Sequence, residues 1–465
     1  MPMTLPEDFK KQLPSWFRDE KEVEEFLAAM DASSPVSVRL NPKKWVGDVR
    51  LKSQVPWCTP GYYMGTRPVF TLDPIFHAGG YYVQEASSMF IWFILESLQL
   101  DKTELKILDL SAAPGGKSTL MASWLSGKGL LVANEIVKNR AYTLKYNLMK
   151  EGYTNTVVTN NAPEYFGHIS NFFDIIVVDA PCSGEGMFRK DPEAVHHWSP
   201  DNVRHCAVRQ QSVLKDVIPS LKDGGILIYS TCTYNHSENI DQADFLVSEH
   251  GMKSVEINHP PSWGITEIHG KNSTGYQFYP HKTRGEGFFT SIFRNLGAAK
   301  KTHQPKGKKS NLSSVDKKEI RLLDDWVTGH DVAYFKDVAG TIHVVPDTQV
   351  DNILLLDSYL RMIYCGVSAG VINKNILIPD HSLALSYILA QNVPKIELET
   401  SSALKYLKKT LPAIDSTQKS WMVATFDGLN LGFLKNIGDR INNYLPNENK
   451  ILMELPVQVQ FKQKR

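Results

Sequence analysis

The sequence has too few cysteines, and in the wrong pattern, for a cysteine-stabilised fold. Its five cysteines, Cys58, Cys182, Cys206, Cys232 and Cys365, are an odd number with no C-x-x-C spacing, which argues against a disulfide framework or a zinc site. It also has no excess of one charge, because 51 Lys and Arg residues balance 50 Asp and Glu residues. Any surface for a polyanion must therefore be local.

Long hydrophobic runs are missing as well. The longest, Met89 to Leu95, is far shorter than the roughly 18 residues that span a bilayer, and the first residues lack the apolar core of a signal peptide. We therefore expect a soluble cytoplasmic protein with no membrane contact. We also expect a monomer that needs no metal. The length of 465 residues allows about two to four domains.

The central part of the chain has the pattern of an α/β domain. From Leu105 to Phe293, short apolar runs alternate with amphipathic segments, as in βα units that build a mostly parallel sheet. We predict strands near Lys106–Leu110, Leu130–Asn134, Thr156–Thr159, Ile175–Asp179, Ile226–Thr231, Ser254–Ile257 and Phe288–Phe293. We predict helices near Ser118–Leu125, Lys138–Lys150, Asp201–Leu221 and Glu238–Glu249. A doubly wound sheet of this kind binds ligands beyond the carboxyl ends of its strands.

The flanking segments differ in character from this domain, which we place at 81–296. Residues 1–80, with a predicted helix at Glu22–Met30 and a strand at Val36–Asn41, suggest a small α/β domain. Residues 297–315 are rich in Lys, Gly and Pro and predict a basic linker. Residues 316–391 carry no motif that we can interpret and suggest a spacer domain, and residues 392–465 predict a compact, mainly β module.

A turn of small residues after the first predicted strand indicates a ligand site. The turn consists of Ser111, Ala112, Ala113, Pro114, Gly115, Gly116 and Lys117, and a helix follows it. Small residues let a ligand approach the backbone. A nucleotide phosphate loop is the alternative, but it requires glycine where Ser111 stands. Glu135 ends the second strand, where a carboxylate can accept both hydroxyls of a ribose. An adenosine-bearing cofactor fits best.

Two cysteines follow neighbouring strands of the predicted sheet. Cys182 lies in the turn Asp179–Gly186 after the fourth strand, and Cys232 lies in Ser230–Tyr234 after the fifth. A cysteine is more often a small buried hydrophobe than a nucleophile. Two cysteines at the same sheet edge favour a catalytic role for this pair. We assign the other three cysteines to packing.

Cysteine suits methylation of a pyrimidine at carbon 5, which is not nucleophilic until a thiolate adds to carbon 6. The resulting enamine can attack the methyl group of S-adenosylmethionine. The addition needs an acid near cytosine N3 or N4, and Asp179 is the candidate. Lys117, beside the cofactor turn, is expected to orient the base.

The full motif set resembles the Nol/Nop/Sun family of RNA (cytosine-5) methyltransferases. The resemblance runs from about Val36 to Phe293 and is carried by Tyr82–Met89, Asp109–Ser118, Asp179–Gly184 and Thr231–Thr233. It implies a Rossmann-like class I methyltransferase domain in which Cys232 attacks and Cys182 assists release. DNA cytosine methylases instead attack with the cysteine of a Pro-Cys pair, which would make Cys182 the nucleophile. The paired cysteines favour the RNA family.

The resemblance also implies a set of cofactor contacts. It places S-adenosylmethionine along Ser111 to Lys117 and beside Asp179, with Glu135 on the ribose. Arg140 matches an arginine of the family's second motif, with a solvated helix face as the alternative. Asn161 stands where the family usually has an aspartate that meets the adenine amino group.

Further motifs resemble the branch of the family that modifies bacterial small-subunit ribosomal RNA. They are Phe188–Glu193, Gly285–Phe289 and a PUA-like segment, Gly428–Tyr444. By this reading Arg189, Lys190, Lys435 and Arg440 contact phosphates, and the alternative for the first two is a solvated charge pair. His196, His197 and Trp198 could stack on a base, although packing at the start of a helix is the preferred interpretation.

We therefore expect 16S ribosomal RNA as the substrate, with 392–465 as an RNA-binding module. Transfer RNA is the runner-up substrate, and a non-catalytic RNA-binding assembly factor is the alternative function.

Overall fold

The computed structural model describes residues 4–45, 51–297, 307–329, 331–410 and 419–455. The predicted basic linker therefore lies partly outside the described residues, at 298–306. Within the described ranges, the strands form four sheets, and no helix there is both long and apolar enough to cross a bilayer.

A small antiparallel sheet and four helices form the N-terminal part. The predicted helix and strand are both confirmed, because the chain has α3 at Glu20–Asp31 and β1 at Ser37–Leu40. The Asp19 side chain caps α3 by accepting from the Glu22 amide. The sheet order is β2-β3-β1-β4. The elements in chain order are α1 (Glu7–Lys10), α2 (Leu13–Trp16), α3, β1, β2 (Leu51–Val55), β3 (Cys58–Met64), α4 (Pro74–His77) and β4 (Tyr81–Val83).

The central domain has the predicted doubly wound α/β fold. Its elements are α5 (Phe90–Ser97), β5 (Lys106–Asp109), α6 (Gly116–Leu125), β6 (Leu130–Asn134), α7 (Lys138–Glu151), β7 (Thr156–Thr159), β8 (Phe173–Asp179), α8 (Pro192–His197), α9 (Pro200–Val217), β9 (Leu221–Thr231), α10 (Ile240–His250), β10 (Lys253–Ser254), β11 (Thr266–His269), β12 (Thr274–Phe278) and β13 (Phe288–Arg294). Strands β5 to β9 pair in parallel, and β13 is antiparallel to β9. Successive residues of β5 face opposite sides, so Ile107 and Leu108 belong to the two separate cores.

The prediction for Ser254–Ile257 is wrong. Only Lys253–Ser254 forms a strand, and it is a short edge against β13. β13 lies between β9 and an outer strand, β12, which we did not predict. β12 contains Gly275, where an added Cβ would lie 2.3 Å from the Phe289 ring. The close approach of that ring explains why a glycine interrupts an otherwise ordinary strand.

The segment that we predicted as a spacer is joined to the catalytic sheet. Strand β17 pairs with β7 and extends the sheet by one strand, with Cys365 opposite Val157. The elements are β14 (Ser313–Ser314), α11 (Lys317–Arg321), β15 (Val332–Lys336), β16 (Thr341–Pro346), α12 (Val350–Tyr359), β17 (Met362–Cys365), β18 (Val367–Asn373), β19 (Ile376–Pro379) and α13 (His381–Leu385). β14 falls at the end of the predicted linker, which is wrong there because this strand pairs with β15.

A last four-stranded sheet completes the described chain, in the order β20-β21-β22-β23. Its elements are β20 (Lys395–Glu397), α14 (Thr400–Leu407), β21 (Trp421–Phe426), β22 (Leu429–Asn436) and β23 (Ile441–Asn443).

A buried lysine ties three of these parts together. Lys44 Nζ donates to the backbone oxygens of Ala78, Lys150 and Leu385, at 3.3, 2.5 and 2.6 Å. Burial lowers the pKa of Lys44 to about 7. The N-terminal part, helix α7 and helix α13 therefore meet at Lys44.

Candidate active site

The turn after β5 is held open by backbone geometry and by bonds to its neighbours. Gly115 has φ +117°, in the region that favours glycine, and it caps α6. The Ala112 amide donates to the Asn134 oxygen at the end of β6. Asn147 of α7 donates to the Pro114 oxygen at 2.8 Å. These contacts fix a concave turn at the carboxyl edge of the sheet.

Asp109 ends β5 beneath this turn. Its Oδ2 accepts from the Ser118 hydroxyl at 2.6 Å, while its Oδ1 is buried and has no hydrogen-bond partner in the described structure. Burial raises the pKa of Asp109 to about 7, and the Ser118 bond and the charge of Lys117 only partly oppose this shift. An orphaned acceptor beside an open turn fits a ligand that brings a donor.

Glu135 and Arg140 meet at the next strand end. The Glu135 carboxylate is buried, and its Oε1 accepts from the Val137 amide. Arg140 lies 3.4 Å from Glu135 Oε2 and donates to the Ala113 oxygen at 2.8 Å. Arg140 thus connects the acidic residue to the cofactor turn. Arg140 is nevertheless exposed, so its place in the cofactor site stays a prediction beside the alternative of a solvated helix face.

Asn161 is engaged by a distant part of the chain. Its Oδ1 accepts from the Arg361 amide at 3.0 Å, and its Nδ2 donates to the Arg361 oxygen at 3.3 Å. The oxygen that we assigned to the adenine amino group therefore already holds the segment before β17. The contact between Asn161 and adenine stays a prediction, and it competes with the hydrogen bonds between Asn161 and Arg361.

The structure brings the two candidate cysteines together. Cys182 Sγ lies 3.1 Å from Cys232 Sγ, and the Cys232 amide points at Cys182 Sγ at 3.4 Å. The bond with Cys232, together with burial and the charge of Glu238, raises the pKa of the Cys182 thiol well above its ordinary value. Cys182 is therefore held as a neutral thiol.

Lys117 and Asp179 form an ion pair at the same edge. Lys117 Nζ lies 2.9 Å from Asp179 Oδ1, which also accepts from the Ser230 hydroxyl. Burial disfavours the ammonium form, but the Asp179 carboxylate outweighs it and raises the pKa of Lys117; the negative charge of the Cys232 thiolate adds to this effect. Asp179, which we predicted as the acid near cytosine N3 or N4, therefore lies in an ion pair with Lys117, and the assignment of the acid stays a prediction.

Two buried carboxylates that sequence reasoning did not single out brace the cysteine turns. Glu185, three residues after Cys182, accepts from the amides of Tyr234 and Asn235 that follow Cys232. In the opposite direction, Glu238 accepts from the Ser183 amide at 2.9 Å. Each carboxylate therefore fixes the turn that carries the other cysteine. The partners lie about fifty residues away, so no local pattern pointed to this role.

The prediction that Arg189 contacts phosphate is wrong, and so is its alternative of a solvated pair. Arg189 is buried and donates to Glu286 Oε2 at 2.8 Å and to the Gly285 oxygen. Arg189 therefore connects the segment that follows Cys182 to the residues just before β13. Lys190 stays more exposed, 3.7 Å from Glu286 Oε1.

Trp198 packs inside the protein, as the preferred interpretation expected. Its ring lies 5.8 Å from that of Phe9, and its Nε1 donates to Glu185 Oε1 at 3.0 Å. It is therefore not available to stack on a base.

The two cations of the C-terminal sheet differ. Lys435 lies over the Trp421 ring at 4.9 Å, and Arg440 is exposed. Their contact with phosphate stays a prediction.

The doubly wound sheet, with its cofactor turn and acidic residue on successive strands, defines a class I methyltransferase that uses S-adenosylmethionine. Comparisons with known proteins agree. The family model for 16S rRNA methyltransferase RsmB/F matches residues 95–294, and models for the RsmF N-terminal domain and the RsmF PUA domain match 5–86 and 393–449. The chain belongs to the RsmF family of small-subunit ribosomal RNA methyltransferases.

Individual relatives support this assignment over the full length. Ribosomal RNA small subunit methyltransferase F of Aliivibrio salmonicida is 30% identical, with 96% of this chain and 97% of the relative covered. The protein of the same name from Shewanella loihica is 28% identical, with 96% and 95% covered. Among solved structures, NSun6 from Pyrococcus horikoshii superposes with a TM-score of 0.53 at 19% identity, over 64% of this chain and 100% of that one. This likeness concerns the fold.

Proposed function

We propose that the protein transfers a methyl group from S-adenosylmethionine to carbon 5 of a cytosine in 16S ribosomal RNA. The observation that carries this proposal is the pair of cysteines, with sulfur atoms 3.1 Å apart, beside an ion pair at the edge where the cofactor turn lies. A single thiol would serve many reactions. Two thiols in contact suit a reaction that must both form and break a carbon–sulfur bond at one base.

The first step is the attack of Cys232 on carbon 6. Its thiolate forms the carbon–sulfur bond, and the electron pair of the 5,6 double bond moves into the ring. Lys117 supplies a proton on the N3 side, while Asp179 holds the ammonium group and accepts from the N4 amino group. Cys182 is kept protonated, because contact with Cys232 and burial raise its pKa well above the ordinary value. This supports Cys232 as the nucleophile.

The second step forms the new carbon–carbon bond. When bound, S-adenosylmethionine would supply an electrophilic methyl group, whose bond to the sulfonium sulfur breaks as its bond to carbon 5 of the enamine forms. Residues 111–117 and Glu135 are the groups that would hold the cofactor, and the unpartnered Asp109 Oδ1 fits such a ligand. The chain's part in this step is to align the base with the turn.

The last step releases the product. A solvent base takes the carbon 5 proton, the electron pair of that carbon–hydrogen bond restores the 5,6 double bond, and the carbon–sulfur bond breaks to expel the thiolate of Cys232. N3 returns its proton to Lys117, and the Cys182 thiol, in contact with the departing sulfur, assists by donating a hydrogen bond to it. The base must leave its stack to reach the crevice, because the reacting face is hidden while it is stacked. The monomeric state and the absence of a metal remain predictions.

The test is transfer of labelled methyl from S-adenosylmethionine to small ribosomal subunits, naked 16S RNA and transfer RNA in parallel, with Cys232→Ala as the blank. We expect 5-methylcytosine in the small-subunit RNA and none in the blank. Label in transfer RNA alone would keep the chemistry and overturn the substrate. No label in any RNA would favour a non-catalytic assembly factor.

A further inference from the structure

A cavity lies between the N-terminal sheet and the α/β domain, outside the active site. Its volume is about 550 Å³, and its walls contain three arginines and four hydroxyl side chains but no carboxylate. These polar residues are Arg67, Arg189, Arg284, Ser33, Ser34, Thr66 and Thr283. Because Arg189 is neutralised by Glu286, the net positive charge of the cavity comes from Arg67 and Arg284.

Both of these arginines are exposed and lie against aromatic rings. The Arg284 guanidinium lies 4.1 Å from the centre of the Tyr63 ring and donates to the Ser53 hydroxyl. The Tyr63 hydroxyl in turn donates to the Arg284 oxygen at 2.7 Å. Arg67 lies 5.6 Å from the Phe70 ring. A stacked guanidinium is oriented before a ligand arrives, so less side-chain entropy is lost on binding.

An unsatisfied hydroxyl adds a second observation. Ser34 lines the cavity, and its Oγ is buried with no hydrogen-bond partner in the described ranges. A buried hydroxyl without a partner costs free energy, which an acceptor from a ligand would offset. Cations and hydroxyl donors together suit a phosphate.

The cavity is adjacent to the active site. Gly285 lines it, and Phe288, three residues further on, has its ring 5.2 Å from Lys117 Nζ. Three residues span at most about 11 Å. The segment between them is fixed, because the Glu286 amide donates to Glu85 and Arg189 donates to Gly285. A strand of RNA whose base enters the crevice therefore passes within reach of the cavity.

We propose that Arg67 and Arg284 bind a backbone phosphate of the RNA strand next to the target cytosine. This inference rests on the proposed function and extends it, since it names where the strand is held outside the crevice. The phosphate contact fixes the register of the strand, while the crevice recognises the base.

The experiment uses the full chain with both arginines neutralised, Arg67→Gln/Arg284→Gln. Affinity for a single-stranded ribosomal RNA fragment is measured over a range of salt concentrations, and kcat and KM are measured for its methylation. Each phosphate contact contributes about 0.7 to the slope of log affinity against log salt for a single strand. We expect the slope to fall by about 0.7, KM to rise about tenfold and kcat to change less than about twofold.

Two further variants separate charge from folding. Arg67→Lys/Arg284→Lys keeps both charges and is expected to keep the wild-type slope. Arg321→Gln, which neutralises an exposed arginine on α11, is expected to change neither slope nor KM. Binding of S-adenosylmethionine should equal that of the wild type in every variant.

Three results would overturn the proposal. They are a wild-type slope in the Gln variant, an equal loss in the Lys variant, and an equal loss in Arg321→Gln. If the wild type methylated no RNA, the proposed function would fail, but the salt dependence of binding would still decide the role of the cavity.

Discussion

The thiols of Cys182 and Cys232 share a hydrogen bond at 3.1 Å between their sulfur atoms, although fifty residues separate them. Neighbouring parallel strands make this possible, because β8 and β9 end side by side with Asp179 opposite Ser230. Two thiols in contact do not ionise together, since one negative charge disfavours the other. Contact and burial raise the pKa of Cys182 well above its ordinary value and keep it as a thiol, which leaves Cys232 as the candidate nucleophile.

Removing the charge of Lys117 should slow methyl transfer strongly. Lys117→Met deletes the ion pair with Asp179 and the proposed proton donor on the N3 side of the base, and we expect a loss of about 10²-fold to 10⁴-fold in the single-turnover rate. Lys145→Met is the control, because it removes a lysine of α7 that lies near Tyr364 rather than the cysteines. A single-turnover rate within threefold of the wild type would contradict this role.

Glu185 should act through the position of Cys232. In Glu185→Gln, an amide NH₂ replaces one of two oxygens that together accept from Trp198, Thr233, Tyr234 and Asn235. A buried amide N–H that faces other donors has no acceptor, which costs about 1–3 kcal/mol of folding free energy. We expect a lower melting temperature and a fall in kcat of about tenfold or more, with little change in KM for RNA.

The matched control for Glu185 is Glu249→Gln, which alters an exposed glutamate of α10. Affinity for S-adenosylmethionine should stay at the wild-type value in both variants. A Glu185→Gln enzyme that lost stability but kept its full kcat would show that the brace is structural only.

Asp109 should make stability depend on pH. Its folded pKa is raised to about 7 by burial, so its neutral form favours folding below the unfolded pKa, and this contribution is lost as pH rises toward 7. Between pH 5 and 7 the loss is about 2–3 kcal/mol. Asp109→Asn cannot titrate, so its free energy of unfolding should rise relative to the wild type across this range.

Chemical denaturation at pH 5, 6, 7 and 8 measures this difference. Asp223→Asn, at an exposed position, is the control for a general effect of aspartate removal. A constant difference between Asp109→Asn and the wild type at all four pH values would contradict the assignment.

Arg189 should matter for stability rather than for RNA contact. Arg189→Met leaves the buried Glu286 without its partner, and breaking a buried pair costs about 3–5 kcal/mol. The slope of RNA affinity against salt should not change, because no phosphate contact is lost. Lys190→Met, one residue along, is the comparison and should leave stability nearly unchanged. If Arg189→Met lowered the slope of RNA affinity against salt and kept normal stability, Arg189 would contact phosphate after all.

Sequence reasoning located those segments whose positions depend on local sequence. The turn from Ser111 to Lys117 is one continuous segment between a strand and a helix, and Cys232 and Cys182 lie one and three residues after the ends of β9 and β8. Sequence reasoning failed where the interacting residues are far apart in the chain. Asn161 accepts a hydrogen bond from the Arg361 amide, 200 residues away, and Arg189 donates to Glu286, 97 residues away. β12 was missed because Gly275 and the buried Gln277 interrupt the apolar pattern. Such positions are set by packing between elements, which periodicity does not encode.

The central claim is that Cys232 bonds to carbon 6 of the RNA cytosine and that Cys182 allows it to leave. The most direct test incubates Cys182→Ala, Cys232→Ala and the wild type with S-adenosylmethionine and 16S RNA, then separates the proteins under denaturing conditions. We expect Cys182→Ala to carry a covalent RNA adduct, and mass spectrometry to locate it on Cys232. An adduct on Cys182 in the Cys232→Ala enzyme, with none in Cys182→Ala, would contradict the account and exchange the two roles.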